Sequence, residues 1–298
     1  MAPLIILMYA LFSSSFSVGK VLLNYAPPIL LVGLRMLPAG IILISYQYFR
    51  QHKFPSLGKQ DFILYAQIVL LGIYGAYIFR FWGLKYLTSS KTALLFNASP
   101  FFTALYSYIF FNERMTQKQW FGLTIGFLGL IPILLTTSLN EQKFGELLYI
   151  SWPEAAILIA VALQSYGWIA VRKLIKHNGH SPAFVNGITM ALGGFLALIT
   201  APFLENVQPI EHISQFVGWL SYVIIVSNII CYNLYGYLMK HYTATFISFA
   251  GFIVPIFAAL YGWGLLHEQI TWHFFASCLI VFIGLYLFYQ DELKSIPI

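Results

Sequence analysis

Two arginines lie within long apolar runs, where a charged side chain is energetically unfavourable. Arg35 lies in the run of residues 28–49 and Arg80 in the run of residues 62–84. A charge at the centre of a bilayer costs about 2.5 to 3.5 kcal/mol on insertion scales, which marks both residues as candidates for function. A carboxylate is the natural partner of a guanidinium. Arg35 is predicted to face the interior, whereas Arg80 either contacts a ligand or extends to the lipid headgroups.

Polar aromatic residues lie in the same kind of run, and aromatic residues make up 18% of the chain. Their rings stack on flat ligand groups and hold cations against their faces. Such rings would suit an amino-acid derivative with an adenine-like part or an onium centre. Each ring alone could equally belong to an interfacial belt or to helix packing, so only the group indicates a cavity. The group is Tyr77, Tyr166, Trp168, Tyr232 and Tyr235.

Three more side chains complete the predicted site. Asn97, just before Pro100, and Asn228 could each satisfy a backbone carbonyl left free in a helix or hydrogen-bond a substrate. Lys20 closes the first run, where a basic residue is also a common interfacial anchor. The predicted substrate-binding residues are therefore Lys20, Arg35, Tyr77, Arg80, Asn97, Tyr166, Trp168, Asn228, Tyr232 and Tyr235.

The pattern of reactive residues argues against an enzyme. The seven His are scattered, and the two Cys, Cys231 and Cys278, lack a metal-binding spacing. No Gly-rich phosphate loop is present, so ATP hydrolysis is not expected. No Asp or Glu lies near the middle of an apolar run, which leaves facilitated exchange or uniport as the expected mode. We predict no cofactor, no metal and no catalytic activity; a membrane-embedded enzyme and a structural subunit are the alternatives.

The composition is that of a membrane protein. Hydrophobic residues make up 59% of the 298 residues and charged residues 9%, with a mean hydropathy of +0.77. A soluble domain carries about 25% charged residues. The net charge of +6 is typical of cytoplasmic loops next to anionic lipid. The expected partners are a small-molecule substrate and the lipid bilayer, without nucleic acid, in a monomer or weak homodimer.

Ten apolar runs have roughly the 20 residues that a membrane-spanning helix needs. The fold class predicted is all-α, polytopic, with one membrane domain over residues 1–298. The ten predicted spans are residues 3–23, 28–49, 62–84, 92–111, 120–137, 154–175, 182–204, 216–239, 243–266 and 272–289.

With both termini in the cytoplasm, the cytoplasmic loops hold ten Lys and Arg and the outer loops three. This asymmetry predicts that orientation. Arg35, Arg80 and the lysines Lys20, Lys85 and Lys91 would then line a basic outward vestibule.

The two halves of the chain resemble each other at an offset of 155 residues. Residues 85–131 and 240–286 share 13 identities in 47 positions, among them Pro100 with Pro255 and Glu113 with Glu268. Each half, residues 1–140 and 150–298, holds five runs. An odd number of spans inverts the second half, and inverted repeats are a common basis for alternating access in transporters.

These features resemble the drug/metabolite transporter superfamily, in particular its EamA-type ten-helix transporters. The likeness rests on SSSFSVGKVLLNYAPPILLVGLRMLPAG, TALLFNASPFFTALYSYIFFNERMT and ATFISFAGFIVPIFAALYGWGLLHEQIT, and it covers nearly the whole chain. One departure is that Thr189 or Met190 stands where the first half has Arg35. The resemblance implies a secondary transporter of the bacterial inner membrane for an amino acid or a derivative such as S-adenosylmethionine. A drug or cation exporter of the same fold is the alternative.

Overall fold

The chain folds as a bundle of helices, as its composition predicts. The computed structural model describes residues 2–51, 57–111, 115–136, 146–147, 150–176, 178–241 and 250–294. The helices within these residues are α1 (Ala2–Leu22), α2 (Pro28–Gln51), α3 (Lys59–Tyr86), α4 (Ser89–Phe96 and Ser99–Phe111), α5 (Gln117–Leu128 and Ile131–Leu134), α6 (Trp152–Lys176), α7 (Pro182–Leu204), α8 (Ile213–Tyr222, Val223–Cys231 and Tyr232–His241), α9 (Gly251–Leu266) and α10 (Trp272–Lys294). Two short antiparallel strands, β1 (Glu146–Leu147) and β2 (Ile150–Ser151), precede α6.

Seven of the described helices are long and apolar enough to cross a membrane: α1, α2, α3, α6, α7, α8 and α10. The other three are interrupted or shorter, since α4 breaks after Phe96 and α5 after Leu128. The start of the ninth predicted span, together with Glu113, lies outside the described residues. Each predicted span nevertheless overlaps a helix, and the crossing of all ten stays a prediction.

Local sequence signals account for several helix starts. Thr88 precedes α4 and its side chain accepts a hydrogen bond from the Lys91 backbone N–H. Thr116 forms a capping box with Gln119 at the start of α5. These contacts satisfy backbone donors that the first turn of a helix leaves free. Polar residues therefore separate the apolar helices at defined points.

The outward faces of the bundle are apolar. Phe203 is 83% exposed, Phe49 is 72% exposed and Phe121 is 69% exposed, and all three lie on helices. Exposure of such large apolar side chains to water is unfavourable, whereas their exposure to lipid is not. Packing between helices is close at small residues, as at the crossing of Gly72 on α3 with Gly167 on α6.

Elements of the two halves begin or end 155 residues apart, the offset found in the sequence. α5 begins at Gln117 and α10 at Trp272, while α4 ends at Phe111 and α9 at Leu266. A wider, π-helical segment interrupts α3 at Ile68–Gly75 and α8 at Val223–Cys231. Apolar composition alone does not explain why both halves contain a π-helical segment at this position, because such segments are rare.

Helices at equivalent positions in the two halves pack side by side and antiparallel. A Cβ on Gly40 of α2 would lie 2.3 Å from the backbone N of Ala191 on α7. Farther along the same pair, a Cβ on Gly194 would lie 2.4 Å from the backbone N of Leu37. Residues of lower number on α2 therefore contact residues of higher number on α7, so the two helices are antiparallel. The same antiparallel relation holds for α5 and α10, where Gly122 meets Phe288.

Candidate functional site

Arg35 is fully buried in the centre of the bundle. It lies on α2 with a relative exposure of 0%, and its guanidinium reaches the π-helical segment of α8. Its Nη2 donates to Asn228 Oδ1 at 2.5 Å and to Ser227 Oγ at 3.3 Å. Its Cζ lies 5.2 Å from the centroid of the Tyr77 ring. The structure thus places Arg35 in the interior, as the sequence predicts.

Arg80 lies next to it and is 1% exposed. Its Nη2 donates to Ser15 Oγ on α1 at 3.2 Å. Its Cζ lies 4.2 Å from the ring centroid of Phe16 and 5.5 Å from that of Tyr77. Of the two alternatives left open by the sequence, extension to the headgroups is excluded by this burial. Both buried guanidinium groups therefore contact the Tyr77 ring.

Neither guanidinium has a carboxylate partner within the part of the chain that the structure describes. Arg35 Nε, Arg35 Nη1 and Arg80 Nε are buried there without any hydrogen-bond acceptor. The ion pairs found among the same residues join other side chains, so two positive charges stay uncompensated. Buried charges in a bilayer are normally paired, because the desolvation cost is otherwise not offset. The arrangement is suited to an anionic ligand group.

Four aromatic rings that contact one another extend from the arginines: Tyr77, Tyr232, Trp168 and Tyr235. The hydroxyls of Tyr77 and Tyr232 hydrogen-bond each other, and these two residues are themselves 155 positions apart. The Trp168 ring lies 5.2 Å from Tyr232 and 4.6 Å from Tyr235, measured between centroids. The rings are tilted against one another and form a continuous aromatic wall. This wall joins α3, α6 and α8.

A cleft adjoins this wall. Its empty volume is about 270 Å³, including the part at its mouth, and Trp168 and Tyr232 form one side of it. That volume includes open solvent and the gaps between atoms, and the enclosed part has room for only about one water molecule. A ligand of nucleoside size therefore requires the helices to separate. The other lining residues are Ile68, Gly72, Ile73, Gln164, Gly167, Val171, Asn186 and Thr189.

The class of protein follows from a match to a known family. The model of the EamA-like transporter family matches residues 1–135 and again residues 151–290. The chain belongs to the EamA-like transporter family. It is a transporter and not an enzyme, and it is an all-α, polytopic membrane protein. The two matched segments correspond to the two halves that the sequence offset separates.

Individual relatives of this EamA-like transporter agree with that assignment. The S-adenosylmethionine/S-adenosylhomocysteine transporter of Chlamydia muridarum is 32% identical over 98% of this chain and 92% of its own length. The protein with the same description from Chlamydia trachomatis serovar L2 is 30% identical over 98% of this chain and 90% of its own length. A solved crystal structure matches with a TM-score of 0.70 at 16% identity, covering 99% of this chain and 98% of that one. At that identity the crystal structure supports the fold alone.

The structure of the EamA-like transporter separates the ten predicted site residues into two groups. Seven are joined by contacts around the arginines and the aromatic wall: Arg35, Tyr77, Arg80, Trp168, Asn228, Tyr232 and Tyr235. Three lie apart. The Tyr166 ring packs edge-on against Tyr106 at 5.8 Å, Asn97 ends the first segment of α4, and Lys20 pairs with Glu268 at 3.1 Å.

Sequence reasoning missed several polar residues of the cleft. Gln164, Asn186 and Thr189 line it, and the sequence singles out Thr189 only as a counterpart of Arg35. An available signal was the presence of an amide inside an apolar run, the same signal that singled out Asn228. Gln164 and Asn186 carry that signal equally.

The predicted basic outward vestibule is not seen. The sequence predicts that Lys20, Lys85 and Lys91 join the two arginines in one open basic surface, and of these three lysines only Lys85 is exposed. Instead, Lys91 is buried against Glu154, with Nζ 2.5 Å from Oε1, and Lys20 pairs with Glu268. The Glu268 carboxylate also accepts from the Ser89 backbone N–H at 2.8 Å. Carboxylates distant in sequence neutralise Lys20 and Lys91, whereas the buried Arg35 and Arg80 have no carboxylate partner among the described residues.

The Lys91–Glu154 pair makes a testable contribution to stability. Both side chains are at most 4% exposed, so removing one charge leaves the other buried without its partner. We expect Lys91→Met and Glu154→Gln to cost about 3 to 5 kcal/mol each, and the double variant to cost clearly less than either. Thermal melting in detergent measures this. Additive losses in the double variant would show that the two charges do not stabilise each other.

Proposed function

We propose that this protein carries S-adenosylmethionine and its demethylated product S-adenosylhomocysteine across the membrane, binding them between the two buried arginines and the aromatic wall. The uncompensated charge of Arg35 and Arg80 is the observation that carries this proposal. Similarity to the chlamydial transporters, which bear that substrate name, supports it. The ligand has a carboxylate for the arginines and a flat base for the rings.

The carboxylate end of the ligand fits the arginines. Arg35 and Arg80 together offer three buried nitrogen atoms that have no acceptor in the described structure. A carboxylate accepts two parallel hydrogen bonds from a guanidinium, and such charge-assisted bonds are about twice as strong as neutral ones. Binding of the anion would therefore offset the cost of the buried charges.

The sulfonium end of S-adenosylmethionine must lie away from those positive charges. Tyr232 and Trp168 line the cleft, and their faces would hold the sulfonium once the helices separate. Aromatic faces attract cations by about 0.5 to 2 kcal/mol, depending on exposure. S-Adenosylhomocysteine lacks the sulfonium charge and would rely on stacking alone.

Movement of the ligand is proposed to occur by alternating access of two inverted five-helix halves, residues 1–140 and 150–298, in one membrane domain. The 155-residue spacing of helix boundaries and the antiparallel packing of α2 with α7 support this arrangement. Tyr77 and Tyr232, one from each half, hydrogen-bond each other, so this contact joins the two halves. We place both termini in the cytoplasm of a bacterial inner membrane, with exchange or uniport as the mode.

Uptake into proteoliposomes tests the substrate. Purified protein should take up labelled S-adenosylmethionine faster than protein-free liposomes, and excess unlabelled S-adenosylhomocysteine should suppress that uptake. Methionine should compete weakly, because it offers no base to the aromatic wall. Uptake equal to that of protein-free liposomes, with no competition by S-adenosylhomocysteine, would contradict the proposed substrate.

A further inference from the structure

Two buried amide side chains in the cleft have polar atoms without partners in the described structure. Gln164 on α6 is 8% exposed and its Oε1 has no donor. Asn186 on α7 is 3% exposed and its Nδ2 has no acceptor. An unsatisfied buried polar group destabilises the folded state, so two of them in one cleft indicate a ligand that pairs with both. One atom is an acceptor and the other a donor.

The surroundings of these amides suit a flat ring. Trp168 lies one turn beyond Gln164 on α6, and Tyr232 receives a hydrogen bond from Gln164 Nε2 at 3.4 Å. A crossing of two glycines adjoins the cleft, where a Cβ on Gly167 would lie 2.7 Å from the Cα of Gly72. The backbones of α3 and α6 are therefore in direct contact beside the cleft, which fixes the spacing of the two helices there. The cleft therefore combines a stacking surface with two directed polar atoms.

We infer that this cleft is the base-recognition subsite, in which Gln164 Oε1 accepts from the exocyclic amino group of adenine and Asn186 Nδ2 donates to the ring nitrogen N7. This inference rests on the proposed function and assigns one end of that ligand. Asn and Gln amides are well suited to adenine, because its amino group and ring nitrogens present a donor next to an acceptor.

The position of Tyr232 connects this subsite to the arginines. Tyr232 lines the cleft and also hydrogen-bonds Tyr77, whose ring contacts both Arg35 and Arg80. An adenosyl amino acid thus has its base on one side of the tyrosine pair and its carboxylate on the other. A free amino acid occupies only the arginine end, and adenosine occupies only the cleft.

Competition binding with a deaminated ligand tests the subsite. Purified protein is titrated with S-adenosylhomocysteine, with S-inosylhomocysteine, in which an oxygen replaces the amino group, and with adenosine. We expect the wild type to prefer S-adenosylhomocysteine over the inosyl analogue by about tenfold or more, as loss of a matched buried hydrogen bond implies. Gln164→Met should reduce that preference to near unity, and Asn186→Leu should weaken both ligands.

Thr200→Val is the matched control, because Thr200 is a polar residue of α7 that bonds Tyr74 and does not line the cleft. It should keep the wild-type preference.

Equal affinity of the wild type for both ligands, or a preference unchanged in Gln164→Met, would overturn the subsite while leaving the transported substrate intact. Should the wild type bind neither S-adenosylmethionine nor S-adenosylhomocysteine, the proposed function fails. Adenosine binding that Gln164→Met abolishes would then still support the subsite, and absent adenosine binding would overturn it.

Discussion

Replacement of Arg35 by Met is expected to lower the initial rate of S-adenosylmethionine uptake at least about 100-fold. Loss of one partner of a buried charge pair costs about 2 to 5 kcal/mol, and 100-fold corresponds to roughly 2.8 kcal/mol. The folded protein should persist, because Arg35 has no carboxylate partner in the described structure whose charge would be left alone. Melting in detergent should therefore show unchanged or increased stability.

The control is Arg50→Met, which removes a positive charge from the same helix. Arg50 is exposed and its Nη1 bonds only the Tyr46 hydroxyl one turn away in the described structure. Its uptake rate should stay within about twofold of the wild type, consistent with the small energies of exposed interactions. Arg35→Lys should resemble Arg35→Met, since an ammonium cannot make the paired bonds of a guanidinium. Normal uptake by Arg35→Met would remove the arginine from the substrate site.

Replacement of Gly284 by Leu is expected to abolish the folded state. A Cβ at this position on α10 would lie 2.4 Å from the backbone N of Gly126 on α5 and 2.6 Å from its Cα. Backbone atoms cannot move aside as a flexible side chain can, so α5 and α10 would have to separate. Overpacking of a core costs about 1 to 3 kcal/mol or more, and separation of two helices lies at the high end. Size-exclusion chromatography should show aggregate instead of a monodisperse peak.

Gly264→Leu provides the comparison for this change. Gly264 also lies within a helix, α9, but a Cβ there meets no atom within 4 Å. Both substitutions raise helix propensity equally, so a difference between them reports packing alone. A monodisperse Gly284→Leu protein with wild-type melting behaviour would contradict the close antiparallel packing of α5 on α10.

Much of the architecture was accessible from the sequence because two simple patterns determine it. Apolar length predicted where helices lie, and the offset identities predicted a spacing of 155 residues between the halves, which the helix starts at Gln117 and Trp272 share. The interruption of α4 at Asn97 and of α5 after Leu128 was not predicted, since backbone turns within apolar runs leave little trace in composition. The paired π-helical segments were also missed, because their sequences are as apolar as regular helix.

The sequence predicted those site residues whose polar or charged side chains are unfavourable to bury within an apolar run. Arg35 and Asn228 were both identified as unusual within apolar runs, and they bond each other although they are 193 positions apart. Lys20 and Lys91 were placed in an open vestibule because sequence alone does not reveal their partners. Those partners, Glu268 and Glu154, are brought to them only by tertiary packing. Tyr166 and Trp168 are two positions apart on one helix, so they necessarily face different neighbours.

A structure of the protein with S-adenosylhomocysteine bound tests the proposed site most directly. The ligand carboxylate is predicted to lie within hydrogen-bonding distance of Arg35 or Arg80, with the base against Trp168. A bound ligand that leaves both arginines bonded only to Ser15, Ser227 and Asn228, with its carboxylate elsewhere, would contradict the binding role of the buried charges.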